Sequence, residues 1–247
     1  MRNISNQSWI AADWPAPMHV HAGTTTRQGG VSLHPYSSFN LARHVDDDNA
    51  KVELNRQKLR SLLDLPSEPH WLNQVHGCGI STDTTQLTEA DASMTTIKGR
   101  VCVVMTADCL PVLITDKKGN CVAAVHAGWR GLQQLAIVKT IESMPIAPEE
   151  TLVWLGPAIG PQAFEVGDDV RDQFLVQDHK YEQAFVAGKQ TGKWLMDVYQ
   201  VARQQLLEMN ITQVYGGKFC TYQEEERFFS YRRDNITGRM ASLIWMT

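Results

Sequence analysis

Cys121-Val-Ala-Ala-Val-His-Ala-Gly-Trp-Arg-Gly131 is an apolar run that ends on an imidazole and a glycine-bounded turn. A helix-like stretch over 132–144 follows, stopped by Pro145. Small and β-branched residues without a polar break predict a strand, and the turn after it delivers His126 to the strand end. Working outward, 101–105, Leu113-Ile114 and 122–125 are short β-rich runs, with Asp116-Lys-Lys-Gly-Asn120 reading as a hairpin connection. A strand over 152–155 enters Gly156-Pro-Ala-Ile-Gly-Pro161, whose glycines and prolines set an unusual backbone path. Apolar recurrence at three and four residues predicts helices over 169–177 and 195–209. The segment 46–63 has the same recurrence behind an acidic start, which suits the positive end of a helix dipole. Strands are predicted over 18–23, 211–215 and 240–246. A paired-glycine turn or close-approach loop covers 24–31. Strands and helices alternate without a regular βαβ period, so the expectation is an α/β chain with a mixed sheet, forming one domain over residues 1–247.

The chain has 247 residues, 43% of them apolar and 20% charged, and a mean hydropathy of -0.28. These values suit a globular enzyme and exclude fibrous or disordered architectures. A formal charge of -4 gives no basic footprint for nucleic acid or an anionic membrane. The N-terminus lacks the apolar core of a signal peptide and no later run has the length of a membrane span, so the expected location is cytoplasmic. Five cysteines without Cys-x-x-Cys spacing suggest neither a disulfide framework nor a zinc ribbon. Cys102 and Cys121 lie inside strand-like runs and read as small core residues.

Two further motifs stand beside the His126 run: Thr106-Ala-Asp-Cys-Leu-Pro111 and Gln74-Val-His-Gly77. Together they offer His76, Cys109 and His126 at the ends of apolar runs, each flanked by small or turn residues. Two imidazoles and a thiolate form a three-ligand zinc set with one tetrahedral position open, as in catalytic zinc sites. The same residues also permit a metal-free reading, with Cys109 as nucleophile, His126 as its base and Asp108 as the carboxylate. Neighbours on an extended strand point to opposite faces, so Asp108 and Cys109 share a site only if the backbone turns there. Without such a turn, Asp108 reads as a capping carboxylate. Arg130 just before the helix-like stretch, Arg27 beside Gly29-Gly30, and Arg232 in Ser230-Tyr-Arg-Arg-Asp234 offer anion-holding guanidiniums, or else structural ion pairs. His19, His21, His34, His44, His70 and His179 read as surface or packing residues.

Taken with Thr26-Arg-Gln-Gly-Gly-Val-Ser32, Phe39-Asn-Leu41, Phe164-Glu-Val-Gly167, Phe228-Phe-Ser-Tyr-Arg-Arg-Asp234 and Thr237-Gly-Arg239, these motifs resemble the ordered set of the laccase-domain family. That family is also called multicopper polyphenol oxidases and is now treated as purine nucleoside phosphorylases. The resemblance runs from about Trp14 to the C-terminus. It implies sandwiched mixed β-sheets flanked by helices, similar to the catalytic domain of cytotoxic necrotizing factor. It also implies a His–Cys–His site on His76, Cys109 and His126 for zinc, with copper as the alternative. The implied activities are phosphorolysis of adenosine, inosine and S-methyl-5′-thioadenosine, with adenosine deamination. The implied partners are a small nucleoside and phosphate, with Arg27, Asn40, Arg130 and Arg232 as substrate-binding residues and Asp108 as a catalytic one. A cysteine or metal amide hydrolase linked to peptidoglycan precursor editing is the alternative. Polyphenol oxidation fits less well, because eight scattered histidines do not display several copper clusters.

Overall fold

The computed structural model describes residues 7–247. In chain order the strands begin with β1 (Trp9–Ala11) and β2 (Val20–Thr25), and helix α1 (Asn49–Leu63) follows. Next come β3 (Ile80–Ser81), β4 (Ala92–Thr95), β5 (Val101–Thr106), β6 (Leu110–Asp116) and β7 (Val122–Ala127). Helices α2 (Trp129–Gln133) and α3 (Ala136–Ser143) lead to β8 (Thr151–Leu155), β9 (Glu165–Gly167) and α4 (Asp168–Gln177). The chain closes through β10 (Phe185–Ala187), β11 (Lys193–Met196), α5 (Val198–Glu208), β12 (Val214–Gly216), α6 (Tyr231–Asp234) and β13 (Met240–Met246).

Two sheets stack face to face. One has the order β1-β2-β13-β5 and is antiparallel throughout. The other has the order β12-β8-β6-β7-β4-β3 and is mixed, with parallel pairs at its two edges. The expected mixed sheet is therefore present. Strand alternation sorts the apolar side chains into three layers. Cys102, Val104, Leu113, Val122, Ala124, Ile244 and Trp154 fill the space between the sheets. Val101, Val103 and Leu243 face outward onto Leu59 of α1 together with Phe39 and Leu41. Val112, Ile114, Ala123 and Val125 face the other way, onto α3, α5 and α2. Both sheets are thus covered on both sides, which is why their strands read as unbroken apolar runs. No helix of the described residues is long and apolar enough to cross a membrane.

Three expectations need correction. The helix expected over 132–144 is two helices, because Leu135 adopts a left-handed conformation (φ 62°) between α2 and α3. The helix expected over 195–209 begins only at Val198: Lys193–Met196 pairs with β9 and β10 as a strand, and the Asp197 carboxylate caps α5 on the N–H groups of Tyr199 and Gln200. Asp46 lies outside α1, which is capped instead by Asp48 on Ala50 N–H. The glycine loop after β2 is a close approach as expected, since a Cβ on Gly30 would run into the Ser38 carbonyl oxygen. The hairpin over 116–120 also forms as expected, held by the Asp116 carboxylate.

Candidate metal centre

β5 ends the four-stranded sheet and β6 starts within the six-stranded one, so the link between them crosses from sheet to sheet at one end of the sandwich. Cys109 sits in this link. The turn that the sequence reading required is there: Asp108 has φ 92°, in the left-handed region that favours glycine. β7 runs antiparallel beside β6 with Pro111 opposite His126, so His126 reaches the same end. His76 arrives on a loop tied to β5 by the Gln74 side chain, which donates to Met105 O (2.8 Å) and accepts from Met105 N (2.7 Å). His76 is also left-handed, with φ 60°. Both residues store strain that only the surrounding structure holds in place.

The outcome is one cluster. Single ligand atoms of His76, Cys109 and His126 all lie within 4.8 Å of one another. Cys109 Sγ is 3.9 Å from His76 Nε2, and the two imidazoles meet edge to face at 4.8 Å. Gly128 closes one side, where a Cβ would come 2.9 Å from Cys109 Sγ and 3.2 Å from His76 Cδ2. Gly77 is under no such constraint, since a Cβ there would meet Asp91 at an ordinary 3.5 Å. Two imidazole nitrogens and a thiolate, converging on a space that one methyl group would invade, fit a metal ion of the zinc or copper kind.

Sequence reasoning missed Asp91. Its side chain is fully buried, and Oδ1 accepts from His126 Nδ1 at 2.7 Å and from His76 N at 2.9 Å. Oδ2 accepts from Gly77 N (2.7 Å) and Val75 N (3.2 Å). The Asp91 carbonyl takes the His126 N–H (2.7 Å). Burial alone would raise the Asp91 pKa, but these donors outweigh it and hold it below the usual carboxylate range. The one sequence signal was an acid placed between alanines, Ala90-Asp-Ala92, at the start of a covered strand. Burial likewise opposes charge on Cys109 and His126. The attraction between thiolate and imidazolium prevails, so the thiol titrates below its ordinary range and the imidazole above its own.

A cavity of about 520 Å³ opens over the cluster, within the size range of small-molecule sites. Arg130, Arg232 and Arg239 line it with His44, Gln74 and Asp108, and Trp129, Phe164 and Tyr231 supply flat faces. Arg130 lies over Trp129 (4.3 Å to the ring centroid) and Arg232 over Phe164 (5.0 Å). Arg239 is half-buried, with Nη1 on the Thr237 and Gly238 carbonyls. Burial lowers its pKa while the nearby Cys109 and Asp108 charges oppose that shift. His44, read as a surface or packing residue, belongs to this wall, and burial with the Arg239 and Arg56 charges favours its neutral form.

The other expected residues sort differently. Both Asp108 oxygens are taken, by the Thr221 hydroxyl (2.6 Å) and the Arg232 N–H (2.7 Å), so the carboxylate behind His126 is Asp91. Arg27 does not line the cavity: its guanidinium lies over Phe229 and donates to the Ser37 and Glu225 carbonyls. Asn40 does not line it either. It is fully buried, donating to Ala42 O and Asp47 and accepting from the Ala42 and Arg239 N–H groups, which fixes the start of the Arg239 segment.

The chain belongs to the multi-copper polyphenol oxidoreductase laccase family, whose model matches residues 21–247. Its relatives include proteins named purine nucleoside phosphorylase. That of Haemophilus influenzae is 51% identical, covering 96% of this chain and 98% of its own. That of Pseudomonas aeruginosa is 48% identical, covering 97% and 98%. That of Escherichia coli is 50% identical, covering 96% and 98%. Among solved structures, a Neisseria meningitidis protein superposes with a TM-score of 0.92 at 46% identity over 97% of this chain and 99% of its own. A Bacillus licheniformis protein does so at 0.91 and 28% over 99% and 98%. Relatives of this name over nearly the full length support reading the chain as an enzyme.

Proposed function

We propose that the chain is a purine nucleoside phosphorylase that splits adenosine, inosine and S-methyl-5′-thioadenosine, and that the same pocket deaminates adenosine. The observation that carries this reading is the joining of three guanidiniums, aromatic faces and the His–Cys–His cluster in one cavity. Phosphorolysis forms a bond from a phosphate oxygen to C1′ of the ribose while the C1′–N9 bond breaks. The electron pair leaves on the purine, which takes a proton, and ribose-1-phosphate remains. Such a reaction needs cations already in place to hold phosphate. Arg239 suits the inner position, because Nη1 alone is spent on its own backbone. Arg232 and Arg130 suit the outer one. Phe164, Trp129 and Tyr231 offer stacking faces for the base, and a neutral His44 can both give and take a hydrogen bond.

His76, Cys109 and His126 would hold zinc, or copper in its place; when bound, the ion supplies Lewis acidity at the cavity floor. Deamination replaces the C6 amino group of adenosine with oxygen from water and releases ammonia, with Asp108 the carboxylate nearest the cavity. Among the described residues this cluster is the one group of its kind, fewer than the several centres that a multicopper oxidase uses. A second reading has a specific observation behind it. Cys109, His126 and Asp91 follow one another as nucleophile, base and orienting carboxylate do in cysteine hydrolases of amides.

The test is inosine turnover with and without phosphate, following base and ribose-1-phosphate by chromatography, on wild-type protein beside Cys109→Ala and His126→Ala. Phosphate-dependent ribose-1-phosphate that disappears in both variants is the expected result. Phosphate-independent amide hydrolysis that survives chelation would move the assignment to the cysteine hydrolase.

A further inference from the structure

We infer that Asp91 is the positioning residue that assembles the three-ligand site before any metal arrives, an inference that rests on His76, Cys109 and His126 holding a metal. A carboxylate has about four lone-pair positions, and Asp91 fills four with the N–H groups of Val75, His76 and Gly77 and with Nδ1 of His126. Three consecutive amides can converge on one carboxylate because the residue between them, His76, is left-handed. The acid therefore holds the backbone of one ligand and the ring of another, from segments far apart in sequence.

The bond to His126 does a second thing. Because Nδ1 faces Asp91, Nε2 is the nitrogen that His126 turns to the cluster and the one it would offer a metal. Asp91 is fully buried and does not line the cavity, so it acts through the ligands and does not touch substrate. Asparagine cannot replace it. Whichever way the amide is turned, its NH₂ group faces two N–H donors, so either the His126 side or the loop side is lost.

A merely structural acid would also lose stability on mutation, so the test needs a structural comparison. Asp116 supplies one at the opposite end of the β6–β7 hairpin. It is 5% exposed and accepts from the N–H groups of Lys118, Asn120 and Cys121. Wild type, Asp91→Asn and Asp116→Asn are titrated with cobalt(II), reading the thiolate-to-cobalt charge-transfer band of Cys109, with circular dichroism reporting the fold. Asp91→Asn is expected to stay folded and bind cobalt roughly 10- to 100-fold more weakly, while Asp116→Asn binds as wild type. A folded Asp91→Asn that binds as tightly as wild type overturns the assignment of Asp91 alone. Wild-type protein without the band overturns the metal reading and this inference with it. Should Asp91→Asn not fold, long-range ¹H–¹⁵N spectra of zinc-loaded wild type decide the matter. A protonated Nδ1 on His126 with Nε2 ligated supports the inference, and ligation through Nδ1 overturns it.

Discussion

The Cys109 thiol and the His126 imidazole stabilise each other's charged forms against the cost of burial, the thiol titrating low and the imidazole high. A depressed thiol pKa means that the thiolate persists as pH falls below the ordinary thiol value of about 8.5. In metal-free protein, iodoacetamide is thus expected to alkylate Cys109 at a near-constant rate through neutral pH, the rate falling only in acid. His126→Ala should return the midpoint upward. An unshifted midpoint in that variant would separate the two groups electrically. The glycines beside the ligands offer a steric test of the same cluster. Gly128 has an extended backbone (φ -65°, ψ 170°) that alanine can adopt, so Gly128→Ala adds only the methyl group that would meet Cys109 Sγ at 2.9 Å. It is expected to lower metal affinity and turnover at least tenfold with little change in Tm, whereas Gly77→Ala leaves both close to wild type. Equal effects from the two alanines would count against a crowded ligand cluster.

At the scale of elements, the legible regions were those where local chemistry and tertiary context agree. The runs that became β5, β6, β7, β8 and β13 are buried on both faces and read as unbroken apolar segments. The ligands His76, Cys109 and His126 were legible because turn residues flank them. The break at Leu135 was not, since neither glycine nor proline marks it; hydrogen bonds fix the turn, the Leu132 carbonyl accepting from Leu135 N (3.0 Å) and from Gln205 of α5 (2.7 Å). The last two residues of β11 were absorbed into a helix because Leu195, Val198 and Tyr199 also fit a helical spacing, although Asp197 carried the capping signal. Asp91 and His44 were missed because the first, distant in sequence, meets His126 only through the pairing of β4 with β7 and the second lies on an irregular loop. The capping of α5 has a measurable consequence. Asp197→Ala removes the acceptor of two backbone N–H groups and is expected to cost about 1 kcal/mol in urea unfolding. The loop over 156–161 should loosen with it, because Tyr199 on that first turn accepts from Ala158 N and donates to Gly156 O.

The whole molecule has an ordinary core, and the end that carries the ligands holds two of its left-handed residues other than glycine. Helices and the facing sheet bury the strands along most of their length. Where the link from β5 to β6 crosses between the sheets, His76 and Asp108 stand in backbone conformations that glycine occupies more easily. Asp108 is compensated by Thr221 and Arg232. His76 is exposed and has few bonds to lose. A left-handed residue other than glycine costs roughly 1–2 kcal/mol, partly offset by the extra chain entropy of an unfolded glycine, about 0.5–1 kcal/mol. His76→Gly, measured in chelator, is therefore expected to unfold at the same temperature as wild type or a few degrees higher, while losing all turnover. A drop of more than a few degrees would mean that the ring is there for packing. The expected result carries a meaning of its own: a side chain that the fold would be better without is retained for what it binds, so position 76 records, within a single chain, a trade of durability for function.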